Sequence, residues 1–354
     1  MPATHGSTLT IEVVPFSVTT LRDTIKKYCA LGDAGLPEQA QYLCAFLSND
    51  ELETKALIIE HPYTDRHYSE EYRSYYSTIF RPPPPKTTRI HFFQKEYNQA
   101  LFESLITRAA TDAIGYKEIT DELNNAYLGF MVLRPLPSAP IGRTILRPFG
   151  KVAERWYIQP AHRAHLAGIE LRVRGVPFQQ QEVAVGVCAT TAIWVALAAA
   201  ARSAGHRSPT PNQITEAATR HILTNRAMPA DGGLDLTQVL ESIRANGYEP
   251  YLMKPENVFD LFTAALKCYL LSNIPVVLLL NTRPYYHAVT LVGYRAAGES
   301  SGKVIHIKTT DFTLKSVAVS KFYVHEDRLG PYARMKWLSP SEQEESGSPS
   351  ADLP

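Results

Sequence analysis

The chain has 354 residues, with 36 Lys and Arg against 35 Asp and Glu and a formal net charge of +1. That length allows two ordinary domains, each with its own core, and so even a charge balance argues against nucleic acid or an anionic membrane surface as the main partner. No apolar run reaches the roughly 18–20 residues needed to span a bilayer, and MPATHGSTLTIEVV lacks the basic and apolar regions of a secretory signal, so the expectation is a cytoplasmic protein without a membrane partner.

Residues 1–10 and 339–354 (SPSEQEESGSPSADLP) are poor in large apolar side chains and are expected to be disordered. Residues 11–165 read as a mixed α/β domain, accessory or substrate-recognising, whose fold resembles no named family. LPEQAQYLCAFLS spaces its apolar residues as a short helix, and ETKALIIEHPY then gives a strand-like run. Tyr68, Tyr72, Tyr75 and Tyr76 follow at helical spacing, which suits a packed helix face better than a recognition surface. The four prolines of RPPPPK continue neither a helix nor a central strand, so the run is a stiff, polyproline-like connection. TTRIHFFQ reads as a strand and EYNQALFESLITRAATDA as a helix, while YLGFMVLRPLP and IGRTILRP read as two strands joined at a proline turn.

Residues 166–338 form the second expected domain. ELRVRGVPF is strand-like, and CATTAIWVALAAAARSAG is a buried helix stopping at Gly205. Thr210, Pro211 and Gln213 then spell an N-cap, a first-turn proline and a capping box for PNQITEAATRHIL. DGGLDLTQVLESIRANGYEPYLM reads as loop, helix, glycine stop and strand, and NVFDLFTAALKCYLLSN as another helix. IPVVLLLN, YHAVTLVGYR and KVIHIKTTDF are three strands. Helices first and an antiparallel sheet last make an α+β fold, without the alternation of a doubly wound sheet.

The four cysteines, Cys29, Cys44, Cys188 and Cys268, include no CxxC pair and build neither a disulfide framework nor a zinc knuckle. Cys29, Cys44 and Cys268 sit in apolar helical stretches and are read as core. Cys188 differs because it stands where VAVGV meets the start of a helix, and unpaired N–H groups there favour a thiolate. Taken alone it is a buried small hydrophobe. Its companions reverse that. His287 opens the strand HAVTLVGY and is a candidate base. If that strand and KVIHIKTTDF form a hairpin across AAGESSG, Asp311 comes back beside His287 to orient the ring. Gln181, with Gln180 as its rival, supplies a side-chain amide for an oxyanion beside the Cys188 N–H. His325, Glu326 and Asp327 suggest a metal, but three adjacent residues cannot face one ion on a regular element. No metal or cofactor is expected, and Asp327 is the reserve acid.

In the order Gln, Cys, His, Asp, with Cys opening a helix and His opening a strand, residues 170–315 resemble papain-like cysteine peptidases, closest to the bacteriocin-processing (double-glycine leader) peptidase-like branch. VPFQQQ matches the run that precedes the cysteine in that branch and assigns Gln181 by position, and SNIPVVLLLN matches the strand before its histidine. Ala189 stands where that branch has glycine, and Phe312 where it has proline after the Asp. The resemblance implies a papain-like catalytic domain with a Cys188–His287–Asp311 triad, acting on a peptide or isopeptide bond of a protein or peptide substrate. Acyl transfer, transglutamination and deamidation use the same groups. A peptide-binding module without catalysis has no need to keep all four.

Overall fold

The computed structural model describes residues 8–32, 35–150, 154–182, 188–220, 233–254, 259–281, 286–297, 303–307, 310–314 and 319–336, with the backbone alone for 259–260, 303–307 and 310–314. The chain divides into two compact units, residues 1–149 with 161–185 and residues 150–160 with 186–354. Antiparallel sheets and helices make both mixed α and β.

The first unit runs β1 (Thr10–Pro15), α1 (Val18–Tyr28), α2 (Glu38–Leu47), β2 (Ala56–Tyr63), α3 (Arg66–Ser74), β3 (Thr87–Phe93), α4 (Gln99–Thr111), α5 (Ala113–Ala126), β4 (Tyr127–Leu133) and β5 (Ile141–Leu146). After β6 (Arg155–Tyr157), which belongs to the second unit, it resumes with β7 (Ala161–Leu166), β8 (Ile169–Arg174) and β9 (Pro177–Phe178). Strand order is β1-β2-β3-β4-β5-β9, antiparallel throughout, and β7–β8 is a separate hairpin. Side-chain oxygens of Ser17, Asp65, Asn98 and Asp112 cap α1, α3, α4 and α5 by accepting first-turn N–H groups.

The expected boundary at 165 falls elsewhere because of packing. Ala164, Leu166, Ile169, Leu171 and Val173 of the β7–β8 hairpin lie in the same core as Ile58, Phe93 and Phe130. Asn124 of α5 fixes that hairpin, donating to Glu170 O at 2.9 Å and accepting from Arg172 N at 2.6 Å. Of the expected disordered ends, 1–7 and 339–354 lie outside the described residues, whereas Thr10 already pairs with His61 in β1.

Charges are buried in this unit and paired. Glu60 accepts from Arg89 Nε at 2.6 Å and shares a hydrogen bond with His91 Nε2 at 3.0 Å, while His91 Nδ1 meets the Tyr127 hydroxyl at 2.8 Å. Asp65 pairs with Arg143 at 2.9 Å. Tyr68 and Tyr76 are buried with Leu136, and Tyr72 and Tyr75 pack against them. The tyrosines thus form a packed face of α3 and the turn after it.

The second unit holds α6 (Cys188–Ser203), α7 (Pro211–Thr219), α8 (Leu236–Ala245), α9 (Phe259–Leu271), β10 (Val276–Asn281), β11 (Tyr286–Ala296), β12 (Lys303–Ile307), β13 (Thr310–Leu314), β14 (Val319–Glu326) and β15 (Gly330–Met335). The capping box opens α7 as expected, with Thr210 and Gln213 bonded reciprocally, and Gly205, beyond the end of α6, has φ +74°. Three readings are corrected. Residues 248–254 form no strand. KVIHIKTTDF is not one strand, because its halves pair with each other as β12 and β13. Cys268 is exposed, since α9 turns Thr263, Ala264, Leu266 and Leu270 inward instead.

β11 is the central strand of the sheet β10-β11-β14-β15. Its first half pairs with β10, residues Gly293–Arg295 pair with β6, and β14 pairs along it. Gly293 permits this junction: a Cβ there would lie 2.4 Å from the Trp156 carbonyl oxygen of β6.

Candidate active site

α6 is apolar almost all round, with Ile193, Trp194, Val195 and Leu197 buried, so its axis is fixed by packing. A buried hydrogen bond pins it to the sheet, from Thr290 Oγ1 of β11 to the Ala192 carbonyl at 2.8 Å. Cys188 is the first residue of α6, half-buried, where the helix leaves its initial N–H groups without intrahelical partners. His287, the second residue of β11, is buried.

Strand register decides which carboxylate meets His287. Thr290 lies opposite His325, so the next residue, Glu326, falls beside Val289 and on the face shared with His287. Both Glu326 oxygens lie on His287 Nε2, at 2.7 and 2.8 Å. The Arg328 N–H donates to Glu326 Oε1 at 3.0 Å and holds the carboxylate in place. Asp327 Oδ1 lies 3.5 Å from the same Nε2. His287 Nδ1 has no hydrogen-bond partner among the described residues, and the Cys188 thiol lies near enough to the ring to bear on its protonation.

The electrostatics follow from these contacts. Burial opposes a charged imidazole, but the Cys188 thiol, then Glu326 and Asp327, outweigh it and raise the His287 pKa from 6.5 to about 10. Glu326 is held below its ordinary value despite burial, chiefly by His287. Asp327 moves the other way, pushed up to about 7 by burial and by the neighbouring Glu326 charge. Burial pushes the thiols of Cys29 and Cys44 up to about 12 and about 11, which leaves them inert at neutral pH.

The hairpin expected to bring Asp311 back beside His287 is corrected: Asp311 lies in β13 opposite His306, in the two-stranded β12–β13 sheet, and its side chain is outside the described residues. The strand that returns antiparallel beside β11 is β14, whose end brings Glu326 to His287. A signal for this stood in the sequence: VSKFYVHE followed by DRLGPYARM reads as strand, turn, strand once β14 is recognised.

The glutamine run separates just as sharply. Gln179 donates to Glu71 at 3.2 Å. Gln180 is buried, accepts from Ile141 N at 3.1 Å and donates to Gln39 and the Ser138 carbonyl. Both amides are committed within the first unit. Gln181 is half-buried and belongs to that unit, Cys188 to the other, and residues 183–187 between them are not described.

His287, Glu326 and Asp327 place ligand atoms within 4.8 Å of one another, a spacing suited to a cation. In this structure the same groups form an ion pair, with Nε2 facing both Glu326 oxygens. His325, the third member of the expected trio, packs edge-on against Tyr332 with centroids 4.8 Å apart.

No protein-family model, curated protein or solved structure matches this chain. Among the described residues, no helix is long and apolar enough to cross a membrane.

Proposed function

We propose that the second unit is a thiol-dependent hydrolase of the papain-like kind, a cysteine peptidase or isopeptidase cleaving an amide bond in a protein or peptide substrate. The observation that carries this reading is the His287–Glu326 pair, an imidazole whose Nε2 is gripped by both oxygens of a carboxylate, with the Cys188 thiol at a helix start near enough to bear on the protonation of that ring. A nucleophile, a base and an orienter of the base are the groups amide attack requires.

In this mechanism Cys188 attacks the substrate carbonyl carbon as a thiolate, forming the C–S bond. The His287 imidazolium gives its proton to the departing nitrogen as the C–N bond breaks. Neutral His287 then takes a proton from water, whose oxygen bonds to the thioester carbon as the C–S bond breaks, which regenerates the thiolate and the imidazolium. Glu326 holds the ring and balances its charge throughout, in the role expected of Asp311.

Iodoacetamide at neutral pH tests the nucleophile. Cys268, being exposed, is the internal standard for an ordinary accessible thiol. Cys188 is expected to alkylate at least tenfold faster, and His287→Ala is expected to abolish the difference. Equal rates at the two cysteines would sink the proposal. Mass spectrometry of protein substrates incubated with the chain then identifies the acceptor. Cleavage fits the hydrolase, whereas amine cross-linking or a gain of about one mass unit assigns the same site to transglutamination or deamidation.

A further inference from the structure

The connection from α3 to β3 has features that a connector does not need. Phe80 is 95% exposed and Ile79 48% exposed, immediately before the run Arg81-Pro-Pro-Pro-Pro-Lys86. Each proline fixes φ near −65°, and each residue preceding a proline is kept out of the helical region. Arg81 to Pro84 all precede prolines, which favours the polyproline II conformation, with three residues per turn and a rise of about 3.1 Å, between bends at Arg81 and Pro85.

Pro83 is half-buried, while Arg81, Pro82, Pro84, Pro85 and Lys86 are exposed. The segment is tied down. Buried Tyr68 donates its hydroxyl to the Pro84 carbonyl at 2.7 Å, and Lys86 Nζ donates to Thr64 at 2.7 Å. Arg81 has no acidic partner among the described residues and lies 5.9 Å from the Phe80 ring. The result is a ridge of proline rings led by an exposed aromatic and flanked by cations. Stiffness accounts for the prolines. It does not account for Phe80 in water.

We propose that Phe80–Lys86 is a docking segment for a protein module that reads polyproline II in an aromatic-lined groove with an acidic rim. Pre-ordering removes much of the entropy cost of binding. Pro82 and Pro85 provide the paired ridge, and Arg81 and Phe80 set orientation at its N-terminal end.

The test uses the intact protein against a panel of purified polyproline-reading domains of the SH3, WW and EVH1 types, with binding followed by fluorescence anisotropy. Saturable binding to a domain with an acidic groove is expected. The double variant Pro82→Ala/Pro85→Ala and the single variant Phe80→Ser should each weaken it at least tenfold, and Arg81→Glu should flatten its salt dependence. Unchanged melting temperatures would show that the variants remain folded, as expected for exposed positions. Cys188→Ala should bind as the parent does, which separates this surface from the thiol chemistry. Binding by none of the domains, or binding that all three variants leave intact, overturns the proposal.

Discussion

His287 holds a proton that its burial opposes, and the carboxylate of Glu326 is the main ionic reason within the sheet. Glu326→Gln is therefore expected to bring the His287 titration, read from its imidazole NMR signals, down from about 10 toward 6.5. It should slow any amide turnover about 10²- to 10⁴-fold, the range set by a disabled general acid and base. The sign of the stability effect follows from the direction of the shift. Because the folded-state pKa is raised, the stabilisation from His287 is complete below 6.5 and disappears as pH climbs toward 10. Asp327 also lowers stability as pH rises, over a lower window. Its folded-state pKa also lies above the ordinary 3.8, but for an acid this means that ionisation opposes folding, by an amount that grows from pH 3.8 to about 7. Asp327→Asn should accordingly stabilise the second unit at pH 8, by less at pH 6, and not at all near pH 4, as read by urea denaturation.

β11 is where elements converge, and its Gly293 sets how closely β6 approaches. Gly293→Ala should displace β6 and cost about 1–3 kcal/mol, seen as a lower urea midpoint together with a change in Trp156 emission. The same strand shows what the sequence makes legible. HAVTLVGY announces itself by unbroken apolar character, Thr210-Pro211-Asn212-Gln213 by cap chemistry, and Cys188 by standing at a strand-to-helix change. Those signals are local, and the structure has β11, α7 and α6 at those places. Which strand lies beside β11 is a non-local choice. The β12–β13 hairpin intervenes before β14, and no residue in KVIHIKTTDF advertises that its halves pair with each other. The meeting of Glu326 with His287 was hidden for that reason, whereas the helix start at Cys188 and the strand start at His287 were not. Likewise Asp235 and Gln238 form a capping box at α8 that a period-based reading passes over.

The two units respond to pH in opposite directions. In the first, Glu60 and Asp65 are held below their ordinary values despite burial, by His91 with Arg89 and by Arg143 respectively. Burial also depresses His91, and brings His67 to about 4. Depressed acids stabilise above their unfolded pKa values, and histidines buried neutral stabilise above 6.5, so acid removes both contributions. Glu71, raised by burial, is the exception. The second unit, through His287, loses stability instead as pH rises from 6.5 to about 10. All three tryptophans, Trp156, Trp194 and Trp337, belong to the second unit. Tryptophan fluorescence should therefore report a melting temperature that falls between pH 7 and 10. Calorimetry should find a separate transition, silent in that fluorescence, that moves down between pH 7 and 4. A single transition seen identically by both probes at every pH would contradict this division.

The excursion of residues 150–160 into the second unit has a consequence for how the protein is made. A ribosome releases β6 well before β11, the strand it must join, and releases β9 only after β6 has already emerged. Folding from the N-terminus outward therefore completes the first unit with a piece of the second already emerged. The first sheet closes with a foreign strand already threaded through its sequence, and that strand waits with an unsatisfied edge until most of the remaining chain has been translated. No single cut in the gene separates the two units intact, so they are inherited together.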